Sequence, residues 1–145
     1  RNPVADLDGQ KDNRAFNANA FGNIYLEVEP IDGLRLRTSI GGRYDNFYSF
    51  GYTRRQYENS ENNSAFGYGE SSGYIFGWVF TNTASYKKTL GKNVFDVLVG
   101  QEALNTGAGR NMNANGIDPF SQDLDFVTIS TLGTRNPPNS NYFKG

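Results

Sequence analysis

From Gly22 the chain alternates strictly between apolar and polar positions. Ile24, Leu26 and Val28 fall on one face, and Asn23, Tyr25, Glu27 and Glu29 on the other. After the turn signal Pro30-Ile31-Asp32-Gly33 the alternation resumes. Leu34, Leu36, Thr38, Ile40, Gly42 and Tyr44 share a face, opposed by Arg35, Arg37, Ser39, Gly41, Arg43 and Asp45. A helix, with its period of 3.6, would mix these sets; a strand keeps them apart. The pattern predicts strand, turn, strand. A three-residue loop 31–33 with Gly33 in the left-handed region closes such a hairpin. That register opposes Val28 to Leu36, Ile24 to Ile40, Glu29 to Arg35 and Glu27 to Arg37. Each cross-strand charge pair contributes only ~0.2–1 kcal/mol, so the pairs select register more than they stabilise the sheet.

A second hairpin is predicted downstream. Phe76, Trp78, Phe80, Ala84 and Tyr86 share a face, as do Phe95, Val97 and Val99 after a turn within 88–93. It is less clean, because Asn82 lies on the apolar side and Val94 and Leu98 on the polar one. The expected organisation is loop 1–19, hairpin 20–46, loop 47–73, hairpin 74–103 and loop 104–145, with one short strand around Asp125–Ser130. Each strand reaches the ~9–11 residues that a tilted strand needs to cross a bilayer. Short turns alternating with long loops are the pattern of outer-membrane barrels. The predicted fold class is therefore all-β: an antiparallel meander of about four strands forming part of a large transmembrane β-barrel, with long extracellular loops. In that reading Glu27, Glu29, Arg35, Arg37 and Arg43 face the lumen, and Ile24, Leu26, Val28, Leu36, Ile40, Val97 and Val99 face lipid. Tyr44, Phe47, Trp78 and Tyr86 join an aromatic girdle or the lipid face. Alternation with one polar face equally describes a soluble, secreted β-rich carbohydrate-binding or adhesion module, which remains the alternative.

Composition narrows the chemistry. The 145 residues include neither cysteine nor histidine, which removes disulfides, thiolate metal sites and His-based nucleophilic catalysis. A net charge of -1 supplies no field to attract nucleic acid. Mean hydropathy is -0.63, far too polar for a spanning helix but ordinary for barrel strands, in which only alternate residues meet lipid. No enzymatic activity and no cofactor is expected. The opening Arg1-Asn2-Pro3-Val4-Ala5-Asp6 reads as the interior of a longer chain.

A resemblance to a known family rests on ordered motifs. Gly22-Asn23-Ile24-Tyr25-Leu26-Glu27, continuing through Ile31-Asp32-Gly33-Leu34-Arg35-Leu36-Arg37-Thr38-Ser39-Ile40-Gly41, resembles SusC-like TonB-dependent transporters. Asn82-Thr83-Ala84-Ser85-Tyr86-Lys87-Lys88-Thr89-Leu90-Gly91-Lys92-Asn93 and Val97-Leu98-Val99-Gly100 resemble that family's next hairpin. The resemblance implies a fragment of a plugged barrel in the bacterial outer membrane, importing oligosaccharide or oligopeptide. It further implies a SusD-like surface lipoprotein as partner and energisation by TonB through other parts of the parent. No plug domain is recognisable in these residues.

Candidate sites are few. Tyr48, Tyr52, Arg54, Arg55 and Tyr57 form a Tyr/Arg cluster of the kind favoured at binding surfaces, and are the expected contacts for ligand or capping lipoprotein. Asn111-Met112-Asn113-Ala114-Asn115-Gly116-Ile117-Asp118 echoes a calcium loop. Its first position is Asn111 and its twelfth Gln122, where Asp and Glu belong, so a surface turn is the expected reading. Gly67-x-Gly69 and Gly107-x-Gly109 lack the third glycine of a dinucleotide fingerprint. Asp123 and Asp125 are a pair of the sort that chance supplies.

Overall fold

The computed structural model describes residues 3–56 and 63–145. After a short helix α1 (Pro3–Gln10) come four long strands: β1 (Arg14–Ile31), β2 (Leu34–Thr53), β3 (Gly67–Leu90) and β4 (Asn93–Pro119). Two short strands follow, β5 (Leu132–Arg135) and β6 (Asn139–Phe143). The sheet runs in the order β1-β2-β3-β4-β5, with β6 also pairing with β4. It is an antiparallel meander, as the alternation predicts, with six strands in place of about four.

The pairing of β1 with β2 keeps the predicted register. The Asn19 amide donates to Asp45 Oδ1 at 2.7 Å, and the rings of Phe16 and Tyr48 stack at 6.3 Å. A Cβ on Gly41 would lie 3.5 Å from Asn23, and one on Gly51 would lie 3.3 Å from Asn13. Each pair has the same sum of residue numbers as Val28 with Leu36 and Ile24 with Ile40, so one register holds along the hairpin. Glu27 faces both arginines, at 3.6 Å from Arg35 and 4.0 Å from Arg37. Glu29 instead accepts from the Gly33 N–H at 3.1 Å. β1 runs one residue further into the turn than expected. Ile31 still belongs to β1, and Gly33 takes φ 83°.

The second hairpin turns on Gly91-Lys92 alone, with Gly91 at φ 62°. Glycine at the first central position of a two-residue loop fits the type II′ hairpin turn. Thr38 and Asn82 bond at 2.9 Å across β2 and β3, and Lys87 N–H donates to the Gly33 carbonyl at 2.8 Å. Across β3 and β4, Thr81 donates to Glu102 at 3.1 Å, and a Cβ on Gly100 would lie 3.6 Å from Thr83.

Strand length departs most from expectation. The four strands have 18, 20, 24 and 27 residues, so much of the expected loops 1–19, 47–73 and 104–145 is strand. Residues 111–119 belong to β4, so neither a calcium loop nor a surface turn forms there. The short strand expected around Asp125–Ser130 is replaced by two 3-10 turns, Leu124–Phe126 and Ile129–Thr131. Local bonds account for them: Asp123 accepts from the Asp125 N–H at 3.2 Å, and Thr131 accepts from the Thr128 N–H at 2.9 Å. Such side-chain bonds offer the backbone an alternative to a ladder.

Contacts divide the chain into two units. One comprises Arg1–Ala18, Asn46–Tyr74 and Arg110–Tyr142; the other comprises Asn19–Asp45, Ile75–Gly109 and Phe143–Gly145. The first holds a small core of Phe66, Tyr68, Val127 and Leu132, joined by Phe50, Tyr52, Leu124 and Ile129. In the second, Ile24, Leu26, Leu36, Ile40, Val97 and Val99 are all exposed and gather into no interior.

Candidate contact surface

In the first unit the alternation of β2 puts Tyr48, Phe50 and Tyr52 on one face. Their rings follow one another at 6.0 Å spacings, and Tyr52 packs on Tyr68 at 5.1 Å and Phe66 at 6.2 Å. The Tyr52 N–H is held by Asn13 Oδ1 at 2.8 Å. Tyr52 thus serves the small core. Phe47 points the other way, with its ring tip where a Cβ on Gly73 would sit. The girdle reading for Phe47 is corrected accordingly: it lies on the face of β2 opposite to Tyr44 and Tyr48, because successive strand residues alternate.

The two arginines are engaged as well. Arg54 bonds Asp12, and Arg55 stands 3.7 Å from Asp118. Asp118 has φ 57°, a left-handed conformation that aspartate tolerates better than most residues. Tyr57 lies outside the described residues. Of the five candidates, Tyr48 borders open space: a groove of about 280 Å³ lined by Tyr48, Glu70, Ser72, Met112, Pro138 and Asn139, among others. The sequence reading did not single out Glu70, which accepts from the Tyr68 hydroxyl at 2.7 Å, or Arg110, whose guanidinium lies 5.1 Å over the Tyr142 ring. The Tyr-x-Glu spacing, which puts residues 68 and 70 on one face, was the available signal for the first.

Burial and the bond to Glu70 push the Tyr68 phenol well above its ordinary range, and burial does the same to Tyr52. A raised phenol favours the folded state while protonated. Its contribution is complete below the unfolded value of about 10 and is lost as pH climbs past it. Alkaline ultraviolet titration should show a late-ionising phenol in the wild type that Tyr68→Phe removes. A Tyr68→Phe curve identical to wild type would contradict the burial.

In the second unit the polar face is a charge lattice. Arg37 lies 4.2 Å over the Tyr25 ring and near Glu27, while Arg43 pairs with Asp45 at 3.3 Å. Among the described residues, no cluster of three or more His, Cys, Asp or Glu side chains could hold a metal.

No protein-family model matches the chain, and no curated sequence matches it. Solved structures do. The chain matches a chain of the RagAB peptide importer in its open-open state with a TM-score of 0.83, covering 97% of this chain at 18% identity. The fold is that of a stretch of this importer. The RagAB peptide transporter gives a TM-score of 0.78 over 97% of the chain at 20% identity. The closed-closed RagAB importer gives 0.69 over 92%, also at 20%. The chain spans only 15%, 16% and 15% of those RagAB chains respectively.

Proposed function

We propose that this chain is a stretch of the wall of a TonB-dependent outer-membrane transporter that imports a nutrient, with oligopeptide favoured over oligosaccharide as cargo. The observation that carries this reading is the likeness to RagAB over 97% of the chain at a TM-score of 0.83. Two physical features support it. Exposed apolar side chains line one face of the second unit while charged pairs line the other, as a wall between hydrocarbon and water requires. At one end of the sheet stands β1, 18 residues long, a backbone edge that a closed barrel would pair. Each long strand also exceeds what crossing needs, and part of that excess falls in the first unit. There Tyr48 and its groove would meet ligand or a SusD-like lipoprotein, with Arg55 and Tyr57 nearby in sequence.

The test uses the full-length parent. It should fractionate with the outer membrane, and cells should take up labelled oligopeptide only when both the protein and TonB are present. Recovery as a soluble secreted protein would favour the binding-module alternative. Uptake of oligosaccharide in place of peptide would overturn the cargo.

A further inference from the structure

The charged face of the second unit carries an apolar hollow. A Cβ on Gly41 would lie 3.2 Å from Val79 Cγ1 and 3.5 Å from Asn23 Cβ, so these three residues share a row. The bond between Thr81 and Glu102 fixes the register that sets Leu104 beside Val79 in that row. The next row, further from the short turns, holds Phe21, Arg43, Gly77 and Thr106. Phe21 is 88% exposed, Leu104 54% and Val79 36%, on the face that also carries Glu27, Arg35 and Arg37. Gly41 and Gly77 leave the floor between them without side chains. The hollow that results measures about 700 Å³.

Hydrocarbon cannot cover this apolar surface, because it lies on the face of the sheet opposite to Ile40. Apolar surface left open to water marks a binding site. Its level agrees: the hollow flanks the backbone of Trp78, at the end of the apolar band remote from both short turns, where cargo would arrive. Charge frames it as well. Arg43 stands one row to one side of Val79 and one strand away, and Glu102 stands one row to the other side on the opposite neighbour. Their backbones are about 13 Å apart along the strands and ~10 Å across them, so about 16 Å in all. An extended chain of about five residues spans that distance at ~3.3 Å each.

We propose that this hollow seats an apolar side chain near the middle of a short peptide, an inference that rests on the peptide-import reading above. Arg43 takes the terminal carboxylate and Glu102 the terminal ammonium. Arg43 is paired with Asp45 at 3.3 Å and Glu102 accepts from Thr81 at 3.1 Å, but a guanidinium has five donors and a carboxylate about four acceptor sites. Val79 lies midway between the two charges, with Leu104 at its side, so the third of five residues falls on the apolar walls.

The test measures uptake by cells making the full-length parent. Labelled pentaglycine with leucine at its third position should show a KM about tenfold below that of the same peptide with glutamine there. Leu104→Gln should erase that preference, and Thr106→Phe, which fills the hollow from its rim, should raise the KM of the leucine peptide alone. Leu98→Gln, the same change on the same face nearer the turn, should keep the preference. Should Leu104→Gln be absent from the outer membrane, Thr106→Phe carries the same decision. Equal KM values in the wild type, or a leucine preference that survives Leu104→Gln, overturn this inference alone. Loss of both peptides in a membrane-inserted Leu104→Gln would mean that the parent's own chain fills the hollow, and overturns it too. Failure of the wild type to import any peptide would instead overturn the function on which it rests.

Discussion

Arginine placed at Ile40 in the full-length protein is expected to lower folding stability by roughly 2–4 kcal/mol, whereas arginine at Ser39 leaves it nearly unchanged. The two positions are adjacent in β2 but point to opposite faces. Ile40 is 55% exposed and lies in a row with Ile24, Phe80 and Ala103. In the proposed wall that exposure is to hydrocarbon, close to the midplane, where a guanidinium finds neither water nor an anion. Ser39 shares its row with Tyr25, Thr81 and Glu102, and Thr81 already bonds Glu102 at 3.1 Å. A cation there meets water and a carboxylate. Urea unfolding in liposomes measures both variants. Equal penalties would mean that the faces are assigned wrongly; a penalty larger at Ser39 would mean that they are reversed.

The first hairpin was legible because its constraints agree. Period-two alternation fixes the faces, opposite charges at Glu27, Arg35 and Arg37 fix the register, and Asp32-Gly33 fixes the turn. The distal ends of β2 and β4 were not. Leu104 to Gly116 is rich in Asn and Gly, and propensity reads it as loop. Pairing on both sides, to β3 and to β5 and β6, makes it a strand nonetheless. Phe47 to Thr53 did carry a signal, since Tyr48, Phe50 and Tyr52 alternate with smaller residues, but the Asn-rich stretch that follows masked it. The Tyr/Arg cluster shows a different limit. Residue type marks Tyr52 as apt for contact, but it does not say whether the contact is with a ligand or with the chain's own Phe66 and Tyr68. The pairing of β2 with β3, which sets Tyr52 against Tyr68, and the covering path of residues 120–132 together settle that for Tyr52.

That path depends on Gly116, and Gly116→Val should detach it. Gly116 is buried in β4 and pairs with Arg135 of β5. A Cβ there would collide with the Thr134 carbonyl oxygen and lie 2.9 Å from Leu132 Cδ1 and 3.0 Å from Arg135 Cα. Two of these obstacles are backbone, which cannot rotate aside. Relief requires β5 to lift, and β5 carries Leu132, which with Val127 closes the core over Phe66 and Tyr68. Overpacking of this kind costs about 3 kcal/mol, at the upper end for an inserted group, and the cost falls locally. Amide exchange at Thr134, and at Asn136, whose N–H bonds the Asn115 carbonyl at 3.0 Å, should then quicken about a hundredfold. Gly22→Val is the matched control. Its Cβ would meet nothing within 4 Å, so the change should stay within about 0.5 kcal/mol. If exchange across β5 were as slow in Gly116→Val as in the wild type, the pairing of Gly116 with Arg135 would be wrong. The core closed by Leu132 would then need another anchor.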